Sequence, residues 1–215
     1  MDGGRGYRRR MSGDIGQPPV RQPERPVATR TSDRGAATRV ALLDAAKETF
    51  VTSGFAEAGV TEVVARAGAS VGSLYHHFSG KADLYLTLFE EFQKRQAQRT
   101  RQAVQEARAA GETDPMPQFL AAARAYLEGC LAERDLAALF LRGDAPPGFE
   151  VVMRERLRQW ARRTAALFEH EDALVLVVTG ALAAVVQEVT LSDDPEAARR
   201  MAEDALRIIG NIRHP

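Results

Sequence analysis

The chain holds a single cysteine, Cys130, among 215 residues. One thiol closes no internal disulfide and builds no cysteine-rich metal site, so nothing here depends on an oxidising compartment. Long apolar runs are also missing. The longest nearly uncharged stretch, residues 173–186, is 14 residues, short of the roughly 20 that a membrane-crossing helix needs, and no span is expected. Net charge is absent too, with 29 Lys+Arg against 29 Asp+Glu, which excludes a general attraction of the whole molecule to nucleic acid. No H-E-x-x-H occurs, no histidine has Glu three positions before it, and His76 and His77, adjacent on a helix, would point about 100° apart. Neither a metal site nor a cofactor is expected. Lysine is scarce, three against 26 arginines, and this bias implies no particular chemistry.

What the sequence does have is 45% apolar residues, enough for a sizeable core, and a segregation of charge. Residues 1–38 carry eight arginines against four acids, together with Pro18, Pro19, Pro23, Pro26 and six glycines. Residues 39–81 balance four basic against four acidic residues, and residues 82–215 hold 17 against 21. Without apolar periodicity, residues 1–37 should not offset the entropy of ordering, and they are expected to form a disordered basic arm. Arg8-Arg9-Arg10 lacks the apolar core of an export signal, so a cytoplasmic location is expected.

From residue 38 onward, Ala, Leu, Arg and Glu dominate and apolar residues recur at spacings of three and four, which predicts an all-α fold. The first helix is expected over residues 38–53, burying Val40, Leu43, Ala46 and Phe50 and ending at Gly54. Thr61 is the expected N-cap of a short helix that buries Val63, Val64 and Ala67 and closes at Gly68. Ser70 should cap another over residues 71–78. Ser79 should cap a long helix starting near Lys81. Later breaks are expected at residues 111–117, 143–148, 170–172 and 192–195.

Residues 61–78 thus read as helix, glycine-containing turn, helix, the arrangement that lays its second helix in the DNA major groove. On a helical wheel, Val71, Leu74 and Phe78 face inward, leaving Gly72, Ser73, His76 and His77 outward and Tyr75 at the boundary. A merely solvated helix would carry Glu and Lys there. No acidic residue occurs from Val63 to Ala82, so nothing repels phosphate. Ser73, Tyr75 and His76 can donate to phosphate oxygens, Ser73 also to base edges, and Gly72 permits close approach. Lys81 in the first turn of the next helix adds a cation beside free backbone N–H groups. Gly68-Ala69-Ser70-Val71-Gly72 also matches the hydrolase elbow G-x-S-x-G, but that motif needs a strand entering the turn, and a helix enters it here. No enzyme is expected. The alternative to DNA reading is a helical interaction module whose Tyr75 and His76 are ordinary surface residues.

Phe50, Gly54, Val60-Thr61, Ala65, Ala67-Gly68, Leu74-Tyr75-His76-His77-Phe78, Lys81 and Leu84 together resemble the N-terminal DNA-binding domain of the TetR family of bacterial transcriptional regulators. The resemblance spans about residues 38–89. It implies an all-α homodimer with a three-helix helix-turn-helix reader over residues 38–82 and a helical ligand-binding and dimerisation domain over 83–215. It further implies a palindromic double-stranded DNA operator released by a small-molecule effector, with repression as the expected outcome. Position by position it assigns DNA contacts to Thr61, Ser70, Val71, Gly72, Ser73, Tyr75, His76 and Lys81. Val71 is therefore claimed by two readings, inward by the wheel and towards a thymine methyl by the resemblance.

For the effector, Tyr126, Cys130, Phe140, Met153 and Trp160 lie on the middle helices where the family's pocket would be walled, and Gln187 could orient a ligand. Core packing competes for each of them. The scarcity of charge among them favours an apolar or aromatic effector. Residues 173–191 are apolar nearly all round, as for a helix covered on two sides. Val177, Gly180, Ala181, Ala184 and Glu188, with Ala205, Ile208 and Ile209 on the last helix, are the expected half of a four-helix dimer interface, with an intramolecular core as the alternative.

Overall fold

A computed structural model describes residues 28–169 and 172–212, with side-chain surroundings for 34–169 and 173–212. Among these the chain is helix and connecting turn, with no strand. The helices are α1 (Ala28–Glu57), α2 (Val60–Arg66), α3 (Val71–His77), α4 (Lys81–Ala109), α5 (Pro115–Ala132), α6 (Arg134–Leu141), α7 (Phe149–Leu167), α8 (Asp172–Leu191) and α9 (Pro195–Gly210). Residues 1–27, most of the expected arm, lie outside the described residues. Residues 28–37, expected in that arm, are the first turns of α1, so the helix starts ten residues earlier than its apolar stripe suggests. At Gly54 the backbone leaves the helix as expected, with φ 80° and ψ 172°, and residues 55–57 form a further helical turn beyond this kink.

Side-chain caps start three of the other helices, α3, α5 and α9. Ser70 accepts from the Ser73 N–H and starts α3 as expected. Thr61 is not a cap: Gly59 precedes α2, and Thr61 falls within its first turn. Gly80, not Ser79, precedes α4; the Ser79 N–H instead donates to Asp83 Oδ2 at 2.7 Å. Asp114 and Asp194 each accept backbone N–H groups ahead of a proline in the first turn of α5 and α9. These are the side-chain acceptors that helix starts require. The break between α5 and α6 at Glu133 carries neither Gly nor Pro, and nothing in the local sequence announces it.

Helices α1, α2 and α3 pack on one another, and α1 also packs on α4 and α6. Helices α4 and α5 pair along their length, and α8 packs on α5, α6, α7 and α9. One apolar core runs through both parts. At its centre Tyr85 and Phe89 of α4 meet Phe140 of α6 and Phe149 of α7 edge-on at 4.9–5.4 Å between ring centroids. Phe50 and Phe55 of α1 extend this cluster. Edge-to-face rings at such distances add roughly 0.5–1.5 kcal/mol per pair beyond their buried area, so α1 is anchored to the body and not merely linked to it.

The expectation of no membrane-length apolar helix is corrected. Ala173–Leu191, taken through its Thr, Gly and Gln positions, is long and apolar enough to cross a bilayer by length and composition. Its contacts with four other helices give the physical reason for that composition: Val175, Val178, Leu182, Val186 and Val189 are core residues of this fold.

Candidate nucleic-acid interface

Helix α3 is held by Leu74 and Phe78, both buried. Phe78 has already left the helix, with φ −140° and ψ 144°, and lies under the guanidinium of Arg39 of α1, 5.2 Å from its ring centroid. Because Phe78 is turned by an extended backbone, its position on an ideal wheel does not fix the buried side. Val71 accordingly stands 42% exposed, which corrects its inward placement by the wheel. Tyr75 is 58% exposed, and Gly72 and His76 are exposed with it, while Ser73 and His77 are half-buried. The His76 and His77 rings sit edge-on with centroids 5.0 Å apart. Thr61 and Ser70 are exposed at the N-terminal ends of α2 and α3. The outward face of α3 thus joins an apolar group, a phenol and an imidazole, with a hydroxyl at its half-buried edge and no carboxylate.

Lys81 stands apart from these. Its ammonium donates to Phe55 O at 2.7 Å and Ala56 O at 3.0 Å and lies 4.5 Å from the Phe55 ring centroid. Two of its three donors therefore serve the end of α1. Arg66 pairs with Glu48 and Glu62. The nearby acids Glu48 and Glu62 are in this way turned to a basic partner on α2.

Among the expected effector residues, Cys130 and Phe140 are buried, and Met153 and Trp160 pack half-buried against the same core. Burial pushes the Cys130 thiol up to about 12, beside the Tyr126 hydroxyl. Burial likewise raises Tyr126, which also meets Gln93. Both are uncharged at neutral pH. Gln187 is exposed on α8 and does not share their burial. A surface groove of about 630 Å³ between α4 and α5, lined by Arg99, Ala103, Arg124 and Glu128 among others, contains none of the six. Of the expected dimer residues, Val177, Gly180, Ala184, Glu188 and Ile208 are exposed, and Ala181 and Ala205 half-buried. Ile209 is buried within the protomer. One helical step separates it from Ile208, and about 100° of rotation turns it to the core. Leu176, 74% exposed beside Val177, went unnoticed in the sequence because an all-apolar helix conceals which side is covered.

A three-helix unit whose third helix shows an exposed, acid-free face, mounted on a larger helical body, is the arrangement of a helix-turn-helix DNA-binding regulator. Residues 42–88 match the family model for bacterial regulatory proteins of the tetR family. The chain is 28% identical over 168 residues to the transcriptional regulator AcuR of Cereibacter sphaeroides, spanning 73% of this chain and 72% of that one. It is 37% identical over 87 residues to the transcriptional activator FasR of Mycolicibacterium smegmatis, but there it spans only 37% of the relative. The fold superposes on the fatty acid degradation regulator FadR of Bacillus halodurans with a TM-score of 0.65 at 17% identity, covering 81% of this chain and 98% of that one. Over residues 42–88 the chain is thus similar to the tetR family of bacterial regulatory proteins, and beyond them it shares the helical fold of a solved regulator.

Proposed function

We propose that this regulator is a cytoplasmic homodimeric repressor, with its basic arm over residues 1–37, its reader over 38–82 and its effector and dimer domain over 83–215. Its two α3 helices enter major grooves of a near-palindromic operator with half-sites about 34 Å apart. The exposed, carboxylate-free face of α3 is the observation that carries this reading. Val71 offers a thymine methyl an apolar contact, Ser73 and Gly72 approach base edges, and Thr61, Tyr75, His76 and His77 donate to phosphates. Ser70 serves first as a cap, and the third donor of Lys81 remains for phosphate. Repression follows from occupancy, since a protein seated on a promoter blocks polymerase without any further contact.

The effector site is proposed among Tyr126, Cys130, Phe140, Met153 and Trp160, with Gln187 at its margin. Buried and neutral Cys130 and Tyr126 favour an apolar or aromatic compound. Such a compound releases DNA by binding better to a conformation whose reading helices are wrongly spaced, a population shift.

Selection from a random double-stranded DNA library tests the reader. An inverted repeat should emerge, and Tyr75→Phe should weaken binding to every sequence by roughly fivefold, about 1 kcal/mol for one lost phosphate hydrogen bond. An unchanged affinity for Tyr75→Phe, or enrichment of sequences without symmetry, overturns the assignment. Transcription in vitro from a promoter bearing the selected site should fall on adding the protein. A rise would make it an activator, as its relative FasR is named.

A further inference from the structure

The end of α1 is gripped by groups that come from far along the chain. Past the kink at Gly54, the Ala56 N–H donates to both carboxylate oxygens of Asp144, at 3.1 and 3.2 Å, across 88 residues of sequence. Asp144 lies in the turn between α6 and α7. The two carbonyls beside that N–H, on Phe55 and Ala56, are taken by Lys81 at the start of α4. The Phe55 ring stands edge-on to Tyr85 at 5.3 Å, and Tyr85 Oη donates to Leu139 O of α6 at 3.2 Å. Gly54 is fitted to this arrangement twice over. Its φ of 80° suits glycine, and a Cβ there would collide with Asp144 Oδ2.

We propose that Asp144 is a positioning residue for operator reading: it ties the end of α1 to the α6–α7 turn and so fixes the angle at which the reader sits on the body. The proposal rests on α3 being the reader. Helix α1 packs on α2 and α3 and also on α6, so a tether between its end and the turn after α6 sets where α3 points. In a dimer that angle becomes the distance between two reading helices. Lys81 and the aromatic contacts remain when Asp144 is removed, so the reader keeps its fold and its seat on the body while the tether that sets its angle is lost. The carboxylate suits the task because a charge-assisted acceptor holds a backbone N–H more tightly than a neutral one.

The experiment uses the full chain and the operator that the wild type selects from random duplexes. Affinity is measured for the two-half-site duplex, for a single half-site, and for duplexes whose half-site spacing is changed by about one or two base pairs. Asp144→Ala should lose roughly tenfold, about 1.4 kcal/mol, on the full operator. On the single half-site it should lose less than about twofold, and its spacing preference should flatten. Asp144→Asn, which keeps one acceptor oxygen, should recover most of the preference, and Gly54→Ala should mimic Asp144→Ala. An unaltered spacing profile in Asp144→Ala overturns the proposal. So does an equal loss on full operator and half-site accompanied by a lower melting temperature, because that marks a purely structural role. If Asp144→Ala does not fold, the spacing profile of Gly54→Ala decides: a flattened profile supports the tether and a wild-type profile overturns it. A wild-type chain that enriches no sequence refutes the reader itself and the tether with it, a failure distinct from an unaltered profile.

Discussion

Val71 shows how a single residue can be misplaced by a sound rule. A wheel assumes that every residue on it is helical, yet α3 has only seven residues and its second apolar anchor, Phe78, sits on extended backbone. With Leu74 and Phe78 filling the core, Val71 faces solvent at the first turn, beside Tyr75. An exposed valine stabilises little, so Val71→Ala should change the melting free energy by less than about 0.5 kcal/mol. Against the selected operator it should lose roughly 1 kcal/mol, about fivefold, through lost contact with one thymine methyl. Replacing that thymine with uracil should reproduce the loss in the wild type and add nothing in the variant. An additive loss would show that Val71 contacts something else. The Ser70 cap was legible in the sequence because capping needs only a local N–H and hydroxyl. The double use of Lys81 was not, because its acceptors are carbonyls of α1.

At the scale of helices, amphipathicity decides what must be covered. Leu176 and Val177 of α8 and Ile208 of α9, the last 65% exposed, form apolar surface that the described protomer leaves in water. Helix α8 packs on α9, and exposed apolar surface of this kind on paired helices fits the association face that the proposed dimer requires. Gly180 has open space around its Cβ position, which lets another helix approach closely. Leu176→Glu with Ile208→Glu should therefore bring the sedimenting mass down to about the chain mass of 23.5 kDa. Binding to the two-half-site operator should weaken far more than binding to one half-site. A dimer that persists in this double variant would place the association face elsewhere. The sequence marked both helices as interface candidates, yet sorting Ile208 from Ile209 and finding Leu176 required knowing which side α5, α6 and α7 already cover.

Across the whole molecule, Glu133 ties the α5–α6 junction to α4 through Arg95 at 2.6 Å and Arg99 at 2.6 Å. Burial alone would raise its carboxyl, but hydrogen bonds and charge from the two arginines outweigh it and hold the group below the ordinary range. A carboxyl lowered on folding contributes stability that is present above the unfolded-state value and is lost as pH falls through the folded-state value. Glu133→Gln should cost about 1–2 kcal/mol near neutral pH, and the gap in melting temperature to the wild type should close as pH falls below the ordinary carboxylate range. A gap that stays constant with pH would show that the ion pairs contribute nothing. The residues of this chain by themselves determined an all-helical fold, the helix-turn-helix over α2 and α3, its acid-free face and the Ser70 cap. Each of these follows from periodicity, short-range capping or the plain absence of carboxylates along a segment. The break at Glu133 and the grip of Asp144 and Lys81 on the end of α1 were decided only by tertiary structure. They depend on which groups distant helices bring within hydrogen-bonding reach, and no local spacing encodes that.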